Sequence, residues 1–163
     1  MSRNTDLFEQ AASAVKRKDY TQAIDLFTEI IGDNLEPAND EQRKTMQVAL
    51  FARGGAYQQK GNLDLAENDM LATKNLLGLG FDLFCADGSI APKLIQLGKA
   101  GIGSAAVILQ TLGTVYFEKK DWDLATQTLK ESSILSQSIG RHDLVSENDR
   151  VITIIKEMQK MSK

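Results

Sequence analysis

Three stretches of this chain carry side chains in the same order: AVKRKDYTQAIDLF (14–27), YQQKGNLDLAENDM (57–70) and YFEKKDWDLATQTL (116–129). Each passes from a helix-compatible segment through a polar turn to a bulky residue, Tyr20, Leu63 or Trp122. An alanine follows three positions later, at Ala23, Ala66 and Ala125. Four residues beyond each alanine stands a large apolar side chain, Phe27, Met70 or Leu129, and twelve residues before it a small one, Ala11, Gly54 or Gly113. Such a segment is a helical hairpin, in which small residues on the first helix let the second approach closely and the bulky ones fill the space between layers. Hairpins repeated in this way bury their apolar faces by stacking, so the expected fold is all-α.

The spacing resembles the tetratricopeptide repeat, a helix–turn–helix unit of 34 residues. Tyr57 and Tyr116 stand at the first-helix aromatic position, where the first stretch has Ala14. Thr73 and Ser132 stand at the late small position, where the first stretch has Ile30. The resemblance implies one domain over 1–163, a superhelix of antiparallel helix hairpins with repeats at about 4–37, 47–80 and 106–139. An inserted segment at about 81–105 precedes the third repeat, and a C-terminal cap helix follows at about 143–162.

The repeats are unevenly spaced. The first extra segment, GDNLEPANDEQRK, holds Pro37 and then polar residues, which suits a loop entering a lengthened helix with Asp40 as its cap. The second, LLGLGFDLFCADGSIAPKLIQLGKAGIGS, is apolar and rich in glycine, and Pro92 predicts a short helix over 91–97 ending at Gly98. A segment of that composition packs on the superhelix or, alternatively, folds into its groove or forms part of a binding surface. After the third repeat, Leu144, Val151, Ile154, Ile155, Met158 and Met161 recur at helical spacing, with acids early and Lys156, Lys160 and Lys163 late, as the helix dipole favours. A helix of this kind covers the last repeat, or joins two copies of the chain.

Charge and chemistry narrow the function classes. Nineteen Lys and Arg against 22 Asp and Glu, a net charge of -3, do not supply the concentrated basic surface that nucleic-acid binding needs. No apolar run approaches the roughly 20 residues of a membrane span, and the opening MSRNTDLFEQ places Asp6 and Glu9 where a signal peptide is apolar. The lone Cys85 has no partner for an internal disulfide, which suits a reducing cytoplasm, and its apolar neighbours predict a buried, inert thiol. His142, the single histidine, falls in a predicted exposed turn. With one His and one Cys, a zinc site of those residues is not expected. The acids Glu67 and Asp69, and Asp121 and Asp123, lie two apart and so face different ways on a helix, as solvated surface. Gly101-Ile102-Gly103-Ser104-Ala105-Ala106 matches a dinucleotide fingerprint but lacks the preceding strand, and Gly98-Lys99-Ala100 lacks the rest of a phosphate loop. The basic triplet Lys16-Arg17-Lys18 suits a helix C-terminus. The expectation is a chain that is not an enzyme and uses no cofactor or metal.

In tetratricopeptide arrays the first helix of each hairpin lines the concave face. Many such co-chaperones grip the carboxylates of an acidic chaperone tail there with Lys, Asn and Arg. The corresponding positions here are Phe8, Ala12, Ala52, Val107 and Thr111, which offer one hydroxyl, so that partner is not expected. The expected groove holds Phe8, Val15, Phe51, Gly55, Gln58, Gln110, Thr114 and Phe117, a surface for an apolar or amphipathic protein segment. The resemblance thus implies a cytoplasmic adaptor or co-chaperone-like module. Alternatives are a bacterial secretion-type chaperone for apolar client segments, and a self-associating subunit that uses the C-terminal helix.

Overall fold

A turn that occurs three times builds the hairpins. Helices α1 (Arg3–Lys16) and α2 (Tyr20–Asp33), α3 (Asp40–Gln59) and α4 (Leu63–Gly78), and α6 (Gly98–Glu118) and α7 (Trp122–Ser138) are each joined by three or so residues. In each turn one residue is left-handed: Lys18 (φ 62°), Gly61 (76°) and Lys120 (63°). The next N–H donates five residues back, from Asp19 to the Ala14 carbonyl, Asn62 to Tyr57 and Asp121 to Tyr116, each at 2.9 Å. The carbonyls of Asp19, Asn62 and Asp121 then accept the N–H of Ala23, Ala66 and Ala125, the three signature alanines. The side chains of Asp19 and Asp121 also cap their helices by accepting the N–H of Gln22 and Leu124. A fourth turn of this kind, with Gly140 at φ 77° and the Arg141 N–H donating to Ser136, leads into α8 (His142–Met161).

The computed structural model describes residues 3–78 and 82–162. Positions 79–80 at the expected end of the second repeat, and 81 at the start of the insertion, lie outside the described residues. Among the described residues all regular structure is helical, in eight helices packed in hairpins, with one isolated antiparallel bridge between Phe84 and Ile90. That arrangement is compatible with a helical repeat. Two compact units make up the chain, Met1–Leu76 and Leu77–Lys163.

In the first unit, α2 packs on both α1 and α3. The core joins Leu7, Ala11 and Ala14 of α1 to Ala23, Phe27, Ile30 and Ile31 of α2 and to Ala49 and Leu50 of α3. The alanines at 11, 14, 23 and 49 have no exposed surface, which is what lets the helix backbones come close. The cap of α3 is Asn39, not Asp40 as its sequence suggests. Asn39 is extended and its Oδ1 accepts the Gln42 N–H at 2.9 Å, while Gln42 Oε1 reaches back to accept the Ala38 N–H. Asp40 is thereby placed inside the first turn, where its carboxylate pairs with Arg43. Gly54 marks the closest approach of α3 and α4, since a Cβ there would lie 2.7 Å from Met70 Cε and 3.1 Å from Asp69 Cβ.

Asp69 is not the solvated acid its spacing suggests. It is buried on α4 and holds Arg53 of α3 through two bonds, Nε to Oδ2 at 2.8 Å and Nη2 to Oδ1 at 2.7 Å. The same guanidinium donates to Thr28 Oγ1 of α2 and lies 5.7 Å from the Tyr57 ring centre. One cation thus ties three helices together, and the hydrogen bond to Asp69 raises its pKa above the usual arginine value.

In the second unit the insertion folds onto the third hairpin. Leu83 and Leu94, the latter on the short helix α5 (Pro92–Gln96), join Ile102, Ala105, Ala106, Leu109 and Leu135 in one cluster. Pro92 opens α5 as expected, but the next helix starts at Gly98 rather than near 106, because Ile102 and Ala105 already have a core to enter. The fingerprint-like run 101–106 is therefore interior helix. Cys85 is exposed, contrary to the expectation of burial. It begins a tight turn in which its N–H donates to the Ser89 carbonyl and its own carbonyl accepts the Gly88 N–H. That turn follows Leu83, which supplies the inward side chain of the segment. Among the described residues α6 is long and apolar enough to cross a membrane by length and composition, which corrects the expectation that no run approaches that length. Half of its most apolar window is buried within the protein, against α5, α7 and α8.

Candidate partner-binding surfaces

The eight expected groove positions divide between the two units, and each set stands on its own. In the first unit, Phe8 and Val15 lie on α1 and Phe51, Gly55 and Gln58 on α3, spaced at three, four and seven residues so that each set shares a helix face. Phe8 is half-buried: its ring packs on Phe27 at 6.2 Å between centres and against the core. Val15 is exposed. Phe51, Gly55 and Gln58 are half-buried. Gly55 has no heavy atom within 4 Å of where a Cβ would stand, so this face of α3 is open, in contrast to the crowded Gly54 one residue before it.

Val48, one turn before Phe51, is 55% exposed and adds to the same apolar strip, as does half-buried Ala52. Val48 stands in the second repeat but before Gly54, the first of its signature positions, so the repeat pattern does not single it out. Its spacing from Phe51 was the available signal.

In the second unit the three expected positions lie on α6 and each has a partner within the unit. Gln110 Nε2 donates to Glu147 Oε2 of α8 at 3.1 Å, Thr114 Oγ1 donates to the Thr111 carbonyl at 2.7 Å, and the Phe117 ring meets Trp122 edge-on at 5.6 Å. Phe117 and Trp122 bracket the α6–α7 turn, so this aromatic contact also fixes the hairpin. The strip on α1 and α3 is therefore the more open of the two surfaces.

Two shallow depressions elsewhere are lined by polar and charged residues. One depression of about 300 Å³ is lined by Glu9, Gln10, Ser13, Arg17 and Gln22, and another of about 370 Å³ by Asp123, Thr126, Gln127, Lys130, Lys156 and Gln159. Among the described residues no three His, Cys, Asp or Glu side chains come together in a way that could hold a metal ion. His142 is the exposed first residue of α8. Arg17 of the basic triplet donates to Gln22 Oε1. No protein-family model matches the chain, and no curated protein matches it.

Proposed function

We propose that the chain is a non-enzymatic protein-interaction module of the tetratricopeptide type that holds an apolar or amphipathic segment of a partner protein against α1 and α3, the first helices of its first two hairpins. The observation that carries this reading is the open strip of Val48, Phe51 and Gly55 on α3: apolar, accessible and free of side-chain bulk at its centre. Three features support the repeat assignment behind it. The three hairpins share one turn, the signature alanines are fully buried, and Gly54 and Gly113 sit where their helices nearly touch.

The chemistry of capture follows from these side chains. A partner helix or strand that covers the strip removes apolar surface from water, which contributes roughly 25 cal/mol per Å² before ordering costs. Gly55 lets the partner's backbone or a large side chain come close. Nothing in this strip is cationic, so carboxylates are not what it selects.

The test is affinity capture from native cell extract, comparing wild type with a Phe8→Glu/Phe51→Glu variant whose helicity is first matched by circular dichroism. A protein held by wild type and lost by the variant is the expected outcome. Equal recovery by both contradicts the α1–α3 surface.

A further inference from the structure

Helix α8 has two apolar faces where the sequence shows one stripe. Leu144, Ile152 and Ile155 are buried and, with fully buried Asn148, face the rest of the unit. Asn148 Nδ2 donates to Ser132 and Ser133 of α7 at 3.0 and 3.2 Å, which fixes how α8 is rotated. With that rotation set, Ile154, Met158 and Met161 point outward, 42%, 39% and 87% exposed, with half-buried Val151 beside them. A single neighbour thus covers only part of the helix's apolar surface.

We infer that this outer stripe is the docking surface for a second copy of the same chain, the two α8 helices pairing antiparallel about a two-fold axis beside Ile154. The charges along its edge select that occupant. Arg150 and Glu157, seven residues apart and both exposed, flank the stripe on one side. An antiparallel pairing centred near Ile154 sets Arg150 of one copy opposite Glu157 of the other, and symmetry makes that pairing twice. A parallel two-fold pairing instead brings opposite flanks together, so that Arg150 and Glu157 of the two copies do not meet. The antiparallel form also opposes the two helix dipoles. Asp143 lies on the same side but is occupied: Arg141 grips its carboxylate at 2.7 Å and holds its pKa down at about 2. Glu147 accepts a hydrogen bond from Gln110 within the unit.

Three apolar side chains per copy make a small interface, at the low end of the range for transient complexes, so the association is reversible and weak. Light scattering over a wide concentration range tests it, on the full chain. Wild type is expected to rise from the 17.9 kDa chain mass toward twice that value as concentration increases. Ile154→Asp/Met158→Asp is expected to stay at the single-chain mass at every concentration, with unchanged circular dichroism. Arg150→Glu should weaken association by about tenfold or more through like-charge opposition, and Arg150→Glu/Glu157→Arg should restore it, which a merely structural role of either residue would not produce. A wild-type chain that stays single at all concentrations overturns the proposal, and so does a dimer that survives the double Asp substitution. A dimer indifferent to the charge changes overturns the antiparallel pairing. None of these outcomes bears on the α1–α3 strip, because no residue of that strip is altered.

Discussion

Asp69→Ala should cost about 3 kcal/mol of stability, the range for removing one partner of a buried ion pair. The loss is not that of a surface salt bridge, because the side chains of Arg53 and Asp69 retain only 17% and 7% of their exposure. Truncation leaves the Arg53 guanidinium inside the α2–α3–α4 junction with the Thr28 hydroxyl and the Tyr57 ring as its remaining partners, too little to replace a carboxylate that accepted two bonds. Replacing both partners by apolar residues of similar size, Arg53→Met with Asp69→Leu, should recover most of the loss, since the buried cation is then gone. Urea denaturation followed by circular dichroism checks both variants. The probe matters: the single tryptophan, Trp122, lies in the other unit. Equal stability of Asp69→Ala and wild type would mean that the pair does not hold these helices together.

Gly113→Leu should destabilise the α6–α7 hairpin by roughly 1–3 kcal/mol through overpacking. A Cβ at this position stands 2.7 Å from Leu129 Cγ and 2.8 Å from Cδ2, and Leu129 is itself fully buried, so it has nowhere to withdraw. The backbone nitrogen of Leu129 is itself 3.4 Å from that Cβ, so the main chain of α7 as well as its side chain stands close. Here Trp122 is a direct reporter, because it opens α7 and packs on Phe117 across the turn. The unfolding midpoint read by its fluorescence should fall in urea. Retained wild-type stability would show that the small residue is not there to let the helices meet.

These two positions show what a single sequence carries. Gly113 and its partner are legible because hairpin packing imposes a fixed distance along the chain: the small residue stands twelve positions before the signature alanine and meets the large apolar side chain four beyond it, here Leu129. The turns were legible for the same reason, each joining two helices through a few residues. Asp69 was not, because its partner lies 16 residues earlier on a different helix, and an isolated Asp or Arg at helical spacing looks like any surface charge. Cys85 was misread because apolar neighbours do not report which way a turn points its side chains. On α8 the periodicity gives the helix but not which of its apolar residues turn inward. That division depends on Asn148, a polar residue which apolar patterning leaves out but which two serines of α7 draw inward. Of the expected binding surface, the α3 face stayed open, whereas the α6 positions are engaged with α8, with their own helix and with Trp122.

The central claim is that a partner segment lies on the first-helix face of the hairpins, and a photocrosslinking comparison addresses it most directly. A photoreactive aromatic residue is placed at Gly55, where the space is open, or at Asp25, an exposed site on the second helix of the first hairpin. After irradiation in native extract, a covalent adduct to one protein should form from position 55 and not from position 25. Adducts from 25 with none from 55 would contradict the claim and move the site to the second-helix face.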